Sequence, residues 1–257
     1  MIHDTATVDP DAYLGERVRV DAHAVIGAGV RIGDDCEIGP HAVLQGPMTM
    51  GRGNSVAAHA VLGGPPQDRG YAGEPTRLEI GERNVLREFV TIHRATTKDT
   101  WVTRVGDDNY IMAYAHIGHD CIVGNHVTMA NGATLAGHVT VGDHVNIAGL
   151  CAIHQFARIG SHAMLGGGTM APMDIPPYAM ASGNHARLYG LNRRGLKRNG
   201  FSAEEISQIR HAYRLLFDSG LRLEQALQAI EAAPELTCQR IADLVTFIRG
   251  SKRGLTR

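Results

Sequence analysis

From Ile2 an apolar residue recurs at every sixth position: Val8, Leu14, Val20, Ile26, Ile32, Ile38, Leu44, Met50, Val56 and Leu62. The pattern breaks between Pro65 and Thr76, returns in phase at Ile80, Leu86 and Ile92, and breaks again between Arg94 and Arg104. It then resumes one residue out of phase, from Val105 through Ile111, Ile117, Val123, Met129, Leu135, Val141, Ile147, Ile153 and Ile159 to Leu165. Four places after each large residue stands a smaller one, such as Ala24, Val30, Cys36 and Ala42, and later Cys121, Val127, Ala133, Cys151 and Ala157. One large and one small inward position per hexad, with Gly frequent at the turn, predicts very short strands whose side chains alternate in and out.

This pattern resembles the hexapeptide-repeat acyltransferases, in which three hexads close one triangular coil. The resemblance implies a mainly β fold, a left-handed parallel β-helix. The left-handed sense comes from the resemblance alone, since parallel crossovers are otherwise right-handed. The β-helix is expected over residues 1–188, with excursion loops near 63–78 and 94–104. Residues 189–257 read as a small C-terminal α-helical domain. There Ser202 and Glu205 fit a capping box, Ile206, Ile209, Tyr213, Leu216 and Phe217 share a helical face, and Gly220 ends it. Two further helices are expected near Leu223–Ala232 and Leu236–Arg249, on either side of Pro234. A tail of this size is expected to dock on the β-helix or on neighbouring subunits.

Composition narrows the function. A formal net charge of −1 supplies no whole-molecule field that would favour nucleic acid or a membrane surface. No stretch reaches the roughly 20 apolar residues of a membrane span, and patterned sequence begins at Ile2 without a signal-like segment, so a cytoplasmic protein is expected. Cys36, Cys121 and Cys151 fall on the small inward slot and are read as buried apolar side chains rather than redox or metal groups.

An eighteen-residue coil places residues eighteen apart at the inter-strand spacing of about 4.8 Å. His119, Gly137 and Gln155 then form one column, and Asp120, His138 and Phe156 the next. An imidazole with a pKa of about 6.5 can take a hydroxyl proton near neutral pH, and an adjacent carboxylate can orient it. A glycine amide one coil away can stabilise a tetrahedral oxyanion. No Ser or Cys joins the cluster, which favours direct attack by the acceptor. His126, His144 and His162 also repeat every eighteen residues and read as an outward ladder on a turn. By the repeat alone, His119 is open to that same structural reading.

Several segments lie outside what the repeat demands: QDRGYAGEPT (67–76), VTIHR (90–94), AHIGHDC (115–121), LAGHV (135–139), IHQF (153–156), DIPPYAMASGNHA (174–186), GLNRRGLKRNGFS (190–202) and the final RGLTR. Together they resemble the UDP-N-acetylglucosamine 3-O-acyltransferase family, which carries out the first step of lipid A assembly. The resemblance implies His119 as general base, Asp120 as its orienting carboxylate and the Gly137 amide as oxyanion donor. It implies that His116 and His138 position the acceptor sugar and its phosphates, with Gln155 and His154 along the same surface. Gln67 and Asp68 resemble the pair that contacts the sugar and the acyl 3-hydroxyl, and Asn192 and Arg198 resemble the nucleotide side. Gly167 resembles the position that limits acyl length.

The implied partners are 3-hydroxyacyl acyl carrier protein, UDP-N-acetylglucosamine and two further copies in a homotrimer, with no cofactor and no metal. Three positions depart from the family pattern: Gly70 stands where a lysine is usual, Arg194 where an acid is common, and Asn199 where an arginine is usual. Arg69 is expected to take over the cationic role usually held one residue later, contacting phosphate or the phosphopantetheine region. Rival readings are an acetyl-CoA-dependent hexapeptide transferase, a zinc lyase of the carbonic anhydrase type ligated by His116, His119 and His138, and a non-catalytic scaffold. The first leaves the excursion and the tail unexplained.

Overall fold

The computed structural model describes residues 1–257 and forms a three-faced prism. Its sheets hold nine, eight and ten strands, most only two residues long, and all but the last two strands enter the three sheets in rotation along the chain. All pairings are parallel except the last, between Ala179–Ser182 and Arg187–Leu191. In the ordinary coil partners stand eighteen residues apart, as in His116↔Thr134 and Thr134↔Ala152.

The two excursions explain the interrupted phase. Val61 pairs with Thr91, thirty residues on, so the first excursion adds whole hexads and leaves the phase intact. Thr91 pairs with His116, twenty-five residues on, so the second adds one hexad and one residue. That single residue is the phase shift after Arg94.

The large and small hexad positions fill the prism: Ile26, Ile38, Leu44, Leu62, Ile92, Ile117, Leu135, Cys36, Cys121 and Cys151 are all buried. Ile2 keeps the period but is half exposed, because the first coil has nothing beneath it. In three successive coils the small slot holds buried Asn54, Asn84 and Asn109. Each side-chain Oδ1 accepts a backbone N–H from the next coil, at 2.9, 2.9 and 2.7 Å, so the three buried oxygens have partners, whereas the Asn109 Nδ2 is buried without one.

The turn glycines are selected by space. At the corners the left-handed residue is usually not glycine: Asp120, His138, Phe156 and the His126, His144, His162 series all have φ between 55° and 65°. Glycine instead follows the large inward residue, where coils nearly touch. A Cβ on Gly118 would lie 2.8 Å from the Leu135 carbonyl oxygen. Space, not φ, selects glycine there.

The tail packs on the last coils through helices α1 (Arg193–Arg198), α2 (Ala203–Tyr213), α3 (Leu223–Ala232) and α4 (Gln239–Arg249). The Ser202–Glu205 capping box is present at the start of α2. Past Tyr213 the backbone widens into a π-helical turn, Arg214–Asp218, before Gly220 turns it. The last helix begins at Gln239 rather than Leu236, because Cys238 still has extended backbone. Phe201 sits edge-on to His162 at 4.8 Å, Tyr213 donates its hydroxyl hydrogen bond to the Pro177 carbonyl, and Arg158 donates to the Phe247 carbonyl at 2.6 Å. No helix is long and apolar enough to cross a membrane.

Candidate active site

His119 and Asp120 occupy the corner that follows the strand His116–Ile117. His119 Nδ1 lies 2.7 Å from Asp120 Oδ2, with the imidazole 16% exposed and the carboxylate 1% exposed. Burial pushes the Asp120 carboxyl up, but hydrogen bonds from His119 and Thr96 outweigh it and hold the group below its usual value. An ionised carboxylate only accepts, so Nδ1 is the nitrogen that carries a proton, and in the neutral ring Nε2 is the one left with a lone pair. Asp120 is held in turn by Thr96, whose N–H reaches both carboxylate oxygens at 3.1 Å and whose hydroxyl donates at 2.7 Å.

Gly137 lies one coil above, as the eighteen-residue column requires. Its Cα faces the imidazole so closely that a Cβ would stand 2.5 Å from His119 Cε1 and 2.7 Å from Nε2. Glycine at this position thus makes room for the ring as well as leaving its amide uncovered. His138 packs edge-on to His119, with centroids 5.3 Å apart, and stacks on Phe156 at 4.5 Å. Its Nε2 is 3.6 Å from Asp120 Oδ2 and its Nδ1 is 3.9 Å from Asp99 Oδ2. Ligand atoms of His119, Asp120 and His138 lie within 4.8 Å of one another, close enough to share a cation. His116, the other ligand required by the zinc reading, stands outside that group; its Nδ1 is 2.7 Å from Thr91 Oγ1.

The remaining expected residues spread outward from this corner. Gln155 and His154 are exposed one coil further on, with His154 Nδ1 3.1 Å from the Gln155 carbonyl oxygen. Gly167 is exposed, and a Cβ there would make only an ordinary van der Waals contact, with the Gly149 oxygen at 3.7 Å. Asn192 caps α1: its Oδ1 accepts from the Gly195 N–H at 3.1 Å, and its Nδ2 donates to the His162 carbonyl at 2.9 Å. One amide hydrogen and one lone pair of the carbonyl oxygen remain for a ligand. Arg198 is exposed at the end of α1, whereas Asn199 turns back to donate to the Gly195 carbonyl. The second histidine series stacks at 4.7 and 4.8 Å and is closed by Phe201, in keeping with a structural ladder.

Gln67 and Asp68 lie in the first excursion, Gln67 exposed and Asp68 mostly covered. Arg69 is exposed and makes no ion pair, while Lys98 crosses from the second excursion to Asp68 at 2.5 Å. The cation beside Tyr71 is Arg94, which donates to its hydroxyl at 3.0 and 3.2 Å.

His93 joins the cluster although no eighteen-residue column contains it. Its ring lies edge-on to His116 at 5.0 Å, and burial, aided by His116, His119 and Arg94, lowers its pKa to about 4. Its Nδ1 is buried without a partner in the chain. His93, Thr96, Lys98 and Asp99 escaped notice because the second excursion displaces them from the eighteen-residue columns; the VTIHR segment was the one available signal.

With this geometry in view, known proteins supply a family. A family model described as UDP-N-acetylglucosamine O-acyltransferase, domain 2, matches residues 174–256, and the six-repeat bacterial transferase hexapeptide model matches residues 103–137. An acyl-[acyl-carrier-protein]–UDP-N-acetylglucosamine O-acyltransferase of Herminiimonas arsenicoxydans is 48% identical over 265 residues, spanning 100% of this chain and 99% of its own. One of Paraburkholderia phymatum is 48% identical over 259 residues with the same coverage. The solved UDP-N-acetylglucosamine O-acyltransferase of Moraxella catarrhalis superposes with a TM-score of 0.96 at 38% identity, covering 100% of this chain and 99% of that one. The Arabidopsis UDP-N-acetylglucosamine acyltransferase does so with 0.86 at 36%, covering all of both chains. Full-length likeness in sequence and in shape, including the expected left-handed parallel β-helix with its small helical tail, shows that this chain belongs to the acyl-[acyl-carrier-protein]–UDP-N-acetylglucosamine O-acyltransferase family.

Proposed function

We propose that the protein transfers a (R)-3-hydroxyacyl group from acyl carrier protein to the 3-position of UDP-N-acetylglucosamine, the first step of lipid A biosynthesis, in the cytoplasm. The observation that carries this reading is the imidazole of His119, tied to buried Asp120 at 2.7 Å through Nδ1 and left with Nε2 free. Nε2 takes the proton of the sugar 3-hydroxyl as its oxygen attacks the thioester carbonyl. The tetrahedral oxyanion is met by the Gly137 N–H, which donates to no acceptor within the chain. Collapse breaks the C–S bond, and the departing thiolate recovers the proton from His119. An ester has formed and a thiol is released, with no net change in the enzyme.

A covalent acyl-enzyme is disfavoured on chemical grounds. The nearest thiol, Cys121, points into the prism, donates to the Ala136 carbonyl and has its pKa pushed by burial up to about 12. In this scheme Gln67, Asp68, His116 and His138 position the sugar and acyl hydroxyl, His154 and Gln155 extend that surface, and Asn192 and Arg198 meet the nucleotide. A homotrimer would complete the sites between neighbouring prisms. In support, Phe89, Tyr114 and Leu150 expose apolar side chains along one corner.

Mass spectrometry of the purified protein with UDP-N-acetylglucosamine and 3-hydroxyacyl carrier proteins tests the reaction directly. The expected product is the 3-acylated nucleotide sugar. His119→Ala should lower turnover by at least about 10²-fold with assembly unchanged, since general-base assistance is worth about 10²–10⁴-fold. Half-activity in that variant would remove His119 from the role.

A further inference from the structure

We propose that Lys98 is a positioning residue of the active site: its ammonium holds the Asp68 carboxylate and clasps the two excursions together beside the His119 corner. The inference rests on the acyl-transfer reading above and concerns how that site is held in shape. Lys98 Nζ meets Asp68 Oδ2 at 2.5 Å, while the Gly70 N–H donates to Oδ1 at 2.7 Å, so both carboxylate oxygens are fixed. The Asp68 side chain is only 15% exposed, whereas that of Lys98 is 56% exposed. Asp68 is also near enough to His119 for the imidazole to influence its carboxyl, although the hydrogen bond from Lys98 is the larger influence lowering it.

The clasp continues inward. The Lys98 backbone N–H donates to Thr96 Oγ1 at 3.2 Å, and that hydroxyl donates to Asp120 at 2.7 Å. One short segment therefore links Asp68 to the carboxylate that orients His119. Asp99, the next residue, lies 3.9 Å from His138 Nδ1.

Gly70 completes the argument. A Cβ there would be 3.2 Å from Asp68 Oδ1 and 3.8 Å from Lys98 Nζ. The cation supplied from the second excursion thus occupies the space into which a side chain at residue 70 would project. A lysine at 70 would carry its own ammonium to the same neighbourhood, so the two positions should be interchangeable as sources of charge.

The test uses the full-length protein, steady-state kinetics in both substrates, and amide hydrogen exchange across residues 65–76. Lys98→Ala should raise the apparent KM for the sugar nucleotide by about tenfold while kcat falls less than about threefold, the pattern of lost ground-state binding. Exchange at the Gly70 amide should quicken, and the thermal midpoint should stay within about 2 °C because the lysine is exposed. Lys98→Arg should retain most of the wild-type KM, and Gly70→Lys placed in Lys98→Ala should recover much of the loss. Unchanged KM in Lys98→Ala, or a defect that Gly70→Lys does not relieve at all, would overturn the proposal. If wild type fails to turn over these substrates, the reading of function falls, and exchange at Gly70 still decides the clasp: unchanged rates in Lys98→Ala refute it.

Discussion

Gly137→Ala is the sharpest test of the site geometry. The added methyl would lie 2.5 Å from His119 Cε1 and 2.7 Å from Nε2, whereas non-bonded carbons rest at about 3.5–4.0 Å. The ring must therefore move by about 1 Å, and a displacement of that size at a reacting group can cost about 10²-fold. An independent route agrees in scale. Moving the ring stretches the 2.7 Å bond from Nδ1 to Asp120 past hydrogen-bond length, and losing a bond to a charged group costs about 1.5–3 kcal/mol, or about 10- to 150-fold. Gly137 does not have left-handed φ, so the backbone itself should accept alanine. We expect kcat to fall about 10²-fold in a direct assay of acylated nucleotide sugar, with a thermal midpoint close to wild type. In the Gly137→Ala, His119→Ala double variant the losses should not add, because both remove the same positioned base. Retention of more than about a third of wild-type kcat by Gly137→Ala would refute the inference that the ring must occupy this position.

Three other substitutions test the same geometry. Thr96→Val removes the hydroxyl donor to Asp120 but keeps the backbone one, and should lower kcat by about tenfold, as for one lost hydrogen bond to a charged group; wild-type kinetics would show that the N–H suffices. His162 is buried, and burial, with its histidine and arginine neighbours, lowers its pKa from 6.5 to about 4. The unfolded chain therefore binds this proton first: the residue costs no stability above pH 6.5, and the cost grows to about 2 kcal/mol by pH 5. Comparison of urea midpoints at pH 7 and pH 5 should show a smaller acid loss in His162→Phe than in wild type, and equal losses would discount the residue. Gly167 puts no side-chain wall at its exposed position, so wild type is expected to prefer chains of about fourteen carbons, each further buried methylene contributing about 0.8 kcal/mol. Gly167→Met should shift preference toward about ten carbons in competition assays, and a wild-type preference for ten would move the limit to Met170 or Met164.

The hexad period by itself determined the prism, its coil length and the inward face of nearly every strand, because one slip of register would expose the whole apolar set. It also determined the His119–Gly137 and Asp120–His138 neighbours, since wherever coils are regular, sequence distance translates into spatial distance. That rule ends at the excursions. The twenty-five-residue step from Thr91 to His116 brings His93 and Thr91 beside His116 and Thr96 beside Asp120, and no eighteen-residue count reaches those pairs. Nothing in the sequence pairs Lys98 with Asp68, and only the paths of the two loops set one on the other. The capping of α1 by Asn192, with its amide bonded to Gly195 and His162, depends likewise on how the tail docks on the last coils. Repetition makes contacts readable because each coil reproduces the one below it. Where the chain leaves the repeat, contacts are decided by loop packing between segments with no common period, and only the tertiary structure holds that information.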